Sequence, residues 1–319
     1  MNTTTIPNKL VAVVGPTASG KTALSIGLAQ LLGGEIISCD SMQIYRGMDI
    51  GTAKPSADER AAVPHHLIDI ADPDTDFTAA DYVAAAESAV KDVLLRGRLP
   101  VFCGGTGLYL DSFLRGGFCQ TREDAECRQQ LARFASEHGN EALHARLAEV
   151  DPDSAAAIHH NNVRRVIRAL EIYYTTGMTK TQLDIQSRQG AGRYDALIIG
   201  LRFFDRELLY RRIDERVDAM LAAGLCGEVE RLDRAGVFER SHTAAQAIGY
   251  KELLPAVRGQ LPLDEAVAQL KQSTRRYAKR QLTWFGRHGD VHWLDCDRYA
   301  GPAELLDAAL KLCRDAGIE

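Results

Sequence analysis

The sequence lacks several features that mark whole classes of protein. Its 38 Lys and Arg residues are outnumbered by 43 Asp and Glu residues, and the net charge of −5 argues against a generic nucleic-acid coat protein. This sum leaves room for a local basic surface, because binding follows the distribution of charge. No apolar run approaches the ~18 residues of a membrane span. The segment before Gly15 lacks the pattern of a signal peptide.

Cysteine is present, but not in the pairs that build frameworks or metal sites. The seven cysteines are an odd number, and no two of them are spaced as CxxC. This pattern argues against a disulfide framework and against a structural zinc site. We therefore expect reduced thiols in a cytoplasmic protein that does not enter a membrane.

The composition is that of an ordinary globular chain, with 45% hydrophobic and 25% charged residues in 319 positions. At ~150 residues per domain, this length suggests about two domains or one domain with an insertion. Short β-branched runs alternate with stretches of helical spacing, which is typical of a parallel α/β sheet. The predicted strands are Leu10–Val14, Glu35–Cys39, Val101–Cys103, Ala196–Leu201 and, at a sheet edge, Val291–Leu294. The predicted helices around them are Lys21–Leu32, Ala79–Leu95, Arg206–Ala223, Cys226–Ala235, Ala244–Val257 and Leu263–Phe285.

The middle of the chain is predicted to be helical throughout. From Arg122 to Gly177 one helical pattern follows another, with breaks near Gly139 and Pro152. The simplest account is a helical insertion domain of residues 116–190. The α/β core is then formed by residues 1–115 and 191–319.

A glycine-rich loop follows the first predicted strand and opens a predicted helix. Its sequence GPTASGKT fits the G-x-x-x-x-G-K-[ST] pattern. Glycines let backbone N–H groups face a phosphate chain, and the helix N-terminus adds positive potential. An accidental glycine loop is the alternative, but the strand–loop–helix context favours a polyphosphate with a magnesium ion on the Thr22 hydroxyl. The predicted cradle comprises Gly15, Pro16, Thr17, Ala18, Ser19, Gly20, Lys21 and Thr22.

Asp40 is the acid that ends the second predicted strand. The third and fourth strands run into Gly104 and Arg202 instead. The carboxyl ends of parallel strands open onto one crevice, so Asp40 is expected to face the glycine-rich loop. There it serves either as an organiser of the metal or as a general base. A helix N-cap is the structural alternative.

Two further motifs follow strands or lie near them. GGTGLY at Gly104 suggests backbone packed against a ligand with the Thr106 hydroxyl aimed at it, or else a structural turn. PHHLID at Pro64 contains adjacent histidines, whose side chains point to opposite faces of a strand. For these histidines we favour packing and hydrogen bonding over metal binding.

Two segments are basic and contain no acid. Arg164 and Arg168 lie one helical turn apart, and no acid occurs between Asp153 and Glu171. An anionic polymer fits this face, and a solvated helix face is the alternative. The stretch after Glu265 is an amphipathic helix that suits a nucleic-acid backbone, with a membrane-surface helix as the alternative. Its basic residues are Lys271, Arg275, Arg276, Lys279, Arg280 and Arg287.

Together these motifs resemble the tRNA dimethylallyltransferase family, also called the isopentenylpyrophosphate:tRNA transferases. The resemblance runs in order from about Leu10 to Leu294, and the block at Asp40 is far more specific than the glycine-rich loop. Asn162 departs from the family, because many members have aspartate there, and the zinc finger of eukaryotic members is absent. The similar segments are GPTASGKT, DSMQIYRGMDIGTAKP, PHHLID, GGTGLY, RRVIRALE, QAIGYKE and TRRYAKRQLTWF.

The resemblance implies a P-loop NTPase-like parallel sheet flanked by helices, with a helical insertion domain, and a defined reaction. Members transfer a dimethylallyl group from dimethylallyl diphosphate to the exocyclic amine of the adenosine 3′ of the anticodon, in tRNAs that read codons beginning with U. The loop then holds the donor's diphosphate, with Mg²⁺ as cofactor and tRNA as partner. Separately from the resemblance, we expect a monomer. A second acid is not needed, because no phosphoryl group is transferred.

The same resemblance assigns roles to individual residues. Asp40 matches the general base, Thr106 a threonine on the diphosphate, and Arg216 an arginine on the same group. The positions that match tRNA contacts are Asp40, Ser41, Met42, Gln43, Thr106, Arg128, Arg164, Arg165, Val166, Ile167, Arg168, Gln246, Ala247, Ile248, Gly249, Tyr250, Lys251, Arg275, Arg276, Lys279 and Arg280.

Three other functions are open at this point. A P-loop small-molecule kinase, with Asp40 activating a hydroxyl, explains the cradle but not the basic helices. An adenylate prenyltransferase acting on free nucleotides shares the catalytic half, although its acceptor needs no long basic surface. A non-enzymatic tRNA-binding module would be favoured by an inert protein with an intact Asp40.

Overall fold

The computed structural model describes residues 8–116, 123–189 and 192–319. Cys119, Arg122 and the predicted boundary at residues 190 and 191 lie outside the described residues. The chain divides into two compact units. The first comprises the residues up to Leu110 together with Tyr194–Glu319, and the second comprises Asp111–Arg193.

Six parallel strands form one sheet in the first unit, in the order β3-β2-β4-β1-β5-β6. The central strands are buried on both faces, which explains their almost continuous apolar sequences. All five predicted strands are confirmed, and the last one forms a sheet edge as expected. The two-residue β3 at the other edge was missed, because so short a strand shows no alternation. The strands are β1 (Lys9–Val14), β2 (Gly34–Cys39), β3 (His65–His66), β4 (Leu99–Gly104), β5 (Asp195–Arg202) and β6 (Val291–Asp295).

The described residues form sixteen α-helices. Helices α5 to α9 belong to the second unit, and α4 begins in the first unit and ends in the second. None of the helices in the described part of the chain has the length and apolarity that crossing a bilayer requires. The bounds are α1 (Lys21–Leu31), α2 (Ala57–Ala62), α3 (Ala79–Leu95), α4 (Gly107–Arg115), α5 (Ala125–His138), α6 (Asn140–Val150), α7 (Pro152–Ala157), α8 (Val163–Thr176), α9 (Lys180–Arg188), α10 (Arg206–Ala222), α11 (Leu225–Arg234), α12 (Val237–Arg240), α13 (His242–Ala245), α14 (Tyr250–Val257), α15 (Leu263–Phe285) and α16 (Pro302–Asp315).

Apolar clusters hold each unit together. In the first unit, helices α1 and α16 cover the sheet through a cluster that includes Val13, Leu28 and Ala309. A second cluster joins the loop after β2 to the C-terminal helices, with Tyr45 and Tyr250 completely buried in it. The second unit has its own core, built from Leu131, Leu143, Leu147, Val166 and Leu170.

One predicted helix is wrong. The apolar spacing predicts a continuous helix over Ala244–Val257, but the structure has α13 and α14 with a break between them. Gly249 causes the break because its φ of 100° lies in the left-handed region, where a helix cannot continue. Its N–H donates to Glu252 Oε2 at 2.9 Å, which starts α14 anew.

Candidate active site

Three neighbouring strands end at one edge of the sheet and carry the predicted motifs. In the register of the sheet, Gly104 of β4 is paired with Val14 of β1 on one side and with Cys39 of β2 on the other. The glycine-rich loop, Asp40 and the Gly105–Thr106 turn therefore leave the sheet side by side. This arrangement confirms that the three motifs meet at the carboxyl ends of parallel strands.

The loop after β1 has the backbone shape of a phosphate cradle. Gly15, Ala18 and Gly20 all have φ values in the left-handed region, at 143°, 63° and 90°. Any side chain at Gly15 would meet the Leu201 carbonyl, since a Cβ there would lie 2.5 Å from that oxygen. The loop ends at the N-terminus of α1, where unpaired backbone N–H groups favour an anion.

Lys21 lies under this loop in a setting that destabilises its charge. Its Nζ donates to the Pro16 carbonyl at 2.7 Å. The pKa of the Lys21 ammonium is lowered to about 8, chiefly by burial and also by the positive charge of Arg216, while Cys103 and Asp40 oppose the shift. A bound diphosphate would reverse both effects by supplying negative charge. The site is therefore built to receive an anion.

Arg216 of α10 supplies a second cation at the cradle. Its Nε is buried and has no hydrogen-bond partner among the described residues. Burial lowers the pKa of the guanidinium, and the attraction of Asp40 offsets part of this. Arg216 also lines a cavity of about 450 Å³, whose other lining residues lie between positions 49 and 60 and between positions 219 and 223. An unpaired buried donor on a cation is costly unless a ligand completes it.

Asp40 interacts electrostatically with both of these cations. Its Oδ1 accepts a hydrogen bond from the Met42 N–H at 2.9 Å, which fixes the carboxylate at the start of the loop. Burial raises the pKa of Asp40, while the Met42 hydrogen bond and the Lys21 charge oppose that rise. A carboxylate with increased proton affinity that faces a ligand crevice suits a general base.

Thr106 connects the turn after β4 to the residue beside Asp40. Its Oγ1 accepts from the Ser41 N–H at 3.0 Å, and its own N–H donates to the Cys39 carbonyl at 3.1 Å. Gly104 makes this close approach possible, because a Cβ there would lie 2.0 Å from the Cys39 oxygen. Thr106 is therefore held at the crevice by backbone contacts.

The loop that follows Asp40 is held by buried polar side chains that the sequence did not reveal. Glu228 is 1% exposed, and its carboxylate accepts from the backbone N–H groups of residues 49, 50 and 51 at 2.9–3.0 Å. The Tyr250 hydroxyl donates to the same carboxylate at 2.7 Å. Gln281 of α15 likewise bonds two loops, through the Thr17 N–H and the Gly105 carbonyl. These contacts join residues far apart in the sequence, so no local sequence pattern predicts them.

The segment Gln246–Lys251 lies partly in the core. Tyr250 is completely buried and Ala247 is 5% exposed, so their side chains pack in the core and do not face a tRNA. Gln246 is exposed, and Ile248 and Lys251 are half-buried.

The basic helix α15 is partly neutralised within the fold. Lys271 pairs with Asp218 of α10, and Arg275 pairs with Asp214 through two hydrogen bonds of 3.1 and 2.8 Å. The remaining basic residues project to the surface, namely Arg276, Lys279, Arg280 and Arg287. The basic face is therefore smaller than the sequence suggests. Ala278 and Phe285 are buried on the other face, which makes the helix amphipathic.

In the second unit, too, some of the basic residues predicted to contact tRNA are exposed and others form ion pairs within the fold. Arg164 and Arg165 are exposed in the first turn of α8, which contains no acid. Arg128 and Arg168 both bond Glu171, whose side chain is 0% exposed. Val166 is fully buried and Ile167 packs against the same core, so a tRNA contact of Val166 would involve its backbone and stays a prediction.

The histidine pair has hydrogen-bond partners, as favoured from the sequence. His65 Nδ1 lies 2.7 Å from the Val63 carbonyl, and His66 Nε2 lies 2.7 Å from Glu35 Oε2. Across the described ranges, no three His, Cys, Asp or Glu side chains come together as a metal site. Magnesium prefers oxygen ligands and keeps substrate phosphates and waters among them. The Thr22 hydroxyl at the start of α1 therefore fits an ion that arrives with a diphosphate.

The fold and the site define a P-loop enzyme with a glycine-rich loop and a carboxylate at the same edge of its sheet. A family model described as IPP transferase matches residues 43–288, and one described as isopentenyl transferase matches residues 8–72. The chain belongs to the tRNA dimethylallyltransferase (IPP transferase) family.

Individual relatives agree along almost the whole chain. A tRNA dimethylallyltransferase of Bacillus velezensis is 52% identical over 288 residues, which is 90% of each chain. The crystal structure of a tRNA isopentenylpyrophosphate transferase from Bacillus halodurans is 44% identical, covers 97% of this chain and 98% of its own, and has a TM-score of 0.69. A eukaryotic dimethylallyltransferase acting on tRNA is 29% identical, covers 98% and 80%, and has a TM-score of 0.80. The P-loop NTPase-like fold class is confirmed.

Proposed function

We infer that this protein is a tRNA dimethylallyltransferase. It transfers a dimethylallyl group from dimethylallyl diphosphate to the exocyclic amine of the adenosine 3′ of the anticodon, in tRNAs that read codons beginning with U. The products are N6-(dimethylallyl)adenosine and diphosphate. The observation that carries this proposal is the cradle whose two cations, Lys21 and Arg216, interact electrostatically with the half-buried carboxylate of Asp40.

The reaction exchanges one bond at the allylic carbon. The adenine nitrogen forms a bond to that carbon while the carbon–oxygen bond to diphosphate breaks, and the electron pair leaves with the oxygen. Negative charge grows on the diphosphate, where Lys21, Arg216, Thr106 and the loop N–H groups donate hydrogen bonds. Magnesium on the diphosphate, held by Thr22, would supply additional positive charge.

Asp40 acts on the acceptor side. The adenine amine is a poor nucleophile because its lone pair is conjugated with the ring. As the new bond forms, a nitrogen proton becomes acidic, and Asp40 accepts it. The raised pKa of Asp40 increases its affinity for this proton.

The tRNA must present its base outside the anticodon-loop stack, as other base-modifying enzymes require. The exposed basic residues of α15, such as Arg276, Lys279 and Arg280, are placed to bind phosphates, and so are Arg164 and Arg165 of the second unit. Ser41, Met42 and Gln43 lie beside Asp40 and are proposed to contact the acceptor nucleotide.

We also propose that the enzyme works as a monomer in the cytoplasm. The six described cysteines are free thiols, as a reducing compartment keeps them.

The proposal is tested by incubating the protein with dimethylallyl diphosphate, magnesium and unmodified tRNA. The tRNA is then digested, and the masses of its nucleosides are measured by mass spectrometry. We expect an adenosine heavier by one dimethylallyl group, located 3′ of the anticodon. Parallel reactions replace the tRNA by AMP, or the donor by labelled ATP with a small acceptor. Product only in the AMP arm, or label transfer from ATP, would refute the proposal.

A further inference from the structure

One side chain of α15 connects the two loops that frame the reaction. Gln281 Oε1 accepts a hydrogen bond from the Thr17 N–H at 2.9 Å, and Gln281 Nε2 donates to the Gly105 carbonyl at 3.0 Å. The residue is 4% exposed, so both ends of its amide are committed to these partners. Gln281 thus links the phosphate cradle directly to the turn that carries Thr106.

The surrounding packing leaves room for this contact and for little else. A Cβ at Gly105 would lie 1.9 Å from Gln281 Nε2, and a Cβ at Gly107 would lie 2.2 Å from Trp284 Cδ1. Gln281 and Trp284 are three residues apart and therefore share a face of α15. The glycines on either side of Thr106 allow this helix face to lie directly on the turn.

We propose that Gln281 is a positioning residue for the transfer, a role that rests on the proposed function. It sets the distance between the cradle, which holds the leaving diphosphate, and the turn, whose Thr106 hydroxyl bonds Ser41 beside Asp40. Through this chain of contacts, one amide aligns the donor with the carboxylate on the acceptor side.

The size of the expected effect follows from the geometry of displacement. Reacting atoms must be held about 3–3.5 Å apart, and an error of about 1 Å costs on the order of 100-fold in rate. An apolar replacement of similar shape, Gln281→Met, removes both hydrogen bonds and frees the loops to shift. A role in folding alone would lower the amount of active enzyme, whereas a positioning role lowers the rate constant of the active molecules.

Single-turnover kinetics separate these two roles. Enzyme in excess is mixed with tRNA and labelled donor, so the amplitude reports the active fraction and the rate constant reports alignment. We expect Gln281→Met to lower the rate constant about 10–100-fold, with tRNA affinity changed less than about twofold. The matched control Gln272→Met changes an exposed residue of the same helix and should retain the wild-type rate constant.

A second variant uses protonation to restore the contact. In Gln281→Glu, the ionised side chain can accept from Thr17 but cannot donate to the Gly105 carbonyl. The protonated carboxyl can do both, as the native amide does. We therefore expect the rate constant of Gln281→Glu, relative to wild type, to rise as the pH falls, and that of Gln281→Met to stay flat.

The results distinguish this inference from the proposed function. If the wild type forms no prenylated adenosine, the proposed function fails. If the wild type is active and both Gln281 variants keep its rate constant, or if the ratio for Gln281→Glu does not depend on pH, the positioning role is refuted while the proposed function stands.

Discussion

Asp40 has an environment suited to a carboxylate that exchanges a proton. Burial raises its pKa, and the Met42 N–H fixes the orientation of one oxygen. We expect Asp40→Ala to lower turnover by ~10²–10⁴-fold and to leave tRNA binding nearly intact. Steady-state kinetics and filter binding measure the two quantities. Asp307→Ala, at an exposed position of α16, is the control. Loss of tRNA binding with turnover preserved would rule out the general-base role.

A second prediction for a single residue concerns Lys21, whose titration should make ligand binding depend on pH. Its pKa of about 8 in the ligand-free protein means that its charge is lost as the pH rises above that value. A diphosphate binds best to the protonated form, so binding above pH 8 must take up a proton. The affinity therefore falls with rising pH, by up to about tenfold per pH unit.

Calorimetry with inorganic diphosphate, in buffers of different ionisation enthalpy, measures this proton uptake. The Lys21→Met variant should bind diphosphate more weakly. Its proton uptake on binding should be smaller, because Lys21 no longer takes up a proton. Diphosphate titrates in the same range, but it contributes equally to both proteins. Equal proton uptake in the two proteins above pH 8 would contradict the assignment.

At the scale of elements, Glu228 of α11 fixes the loop after β2. Its carboxylate accepts three backbone hydrogen bonds and one from Tyr250. Glu228→Gln removes the charge and places an NH₂ group against donors. We expect the free energy of unfolding to fall by about 2–4 kcal/mol. Denaturant unfolding measures this change. The control Glu230→Gln, on the exposed face of α11, should change the free energy of unfolding by less than about 0.5 kcal/mol. Equal effects of the two substitutions would be inconsistent with the proposed anchor.

The exposed basic residues of α15 predict how tRNA affinity depends on salt concentration. Arg276 and Lys279 are exposed, whereas Lys271 is paired with Asp218. If the exposed residues bind tRNA phosphates, each alanine substitution should lower the slope of log affinity against log salt by about 0.7–1. Lys271→Ala is the matched control on the same helix and should leave the slope unchanged. Binding titrations at several salt concentrations decide the matter, and a slope that responds only to Lys271→Ala would place the contact elsewhere.

At the scale of the whole molecule, the parts that were predictable are those with local signals. The glycine-rich loop, Asp40 and Thr106 each follow an apolar strand, and parallel strands must bring such ends together. The family resemblance then supplied a role for Arg216, which no local pattern marks. The roles of Gln281 and Glu228 were not predicted, because their hydrogen-bond partners lie far away in sequence.

Surface charge was predicted less well than fold, for a physical reason. Lys271 and Arg275 look like parts of a basic face until α10 supplies Asp218 and Asp214. Val166 sits among arginines in the sequence, yet the helical repeat turns it into the core. Pairing and burial depend on tertiary contacts, which a single helix pattern does not contain.

The central claim is that the glycine-rich loop holds the leaving group of an isoprenoid donor. A crystal structure with an unreactive thiolo analogue of dimethylallyl diphosphate tests it most directly. We predict the diphosphate on the loop amides, within hydrogen-bond distance of Lys21 and Arg216, with the allylic carbon facing Asp40. A structure that instead held ATP in this loop, with its terminal phosphate directed at Asp40, would contradict the account.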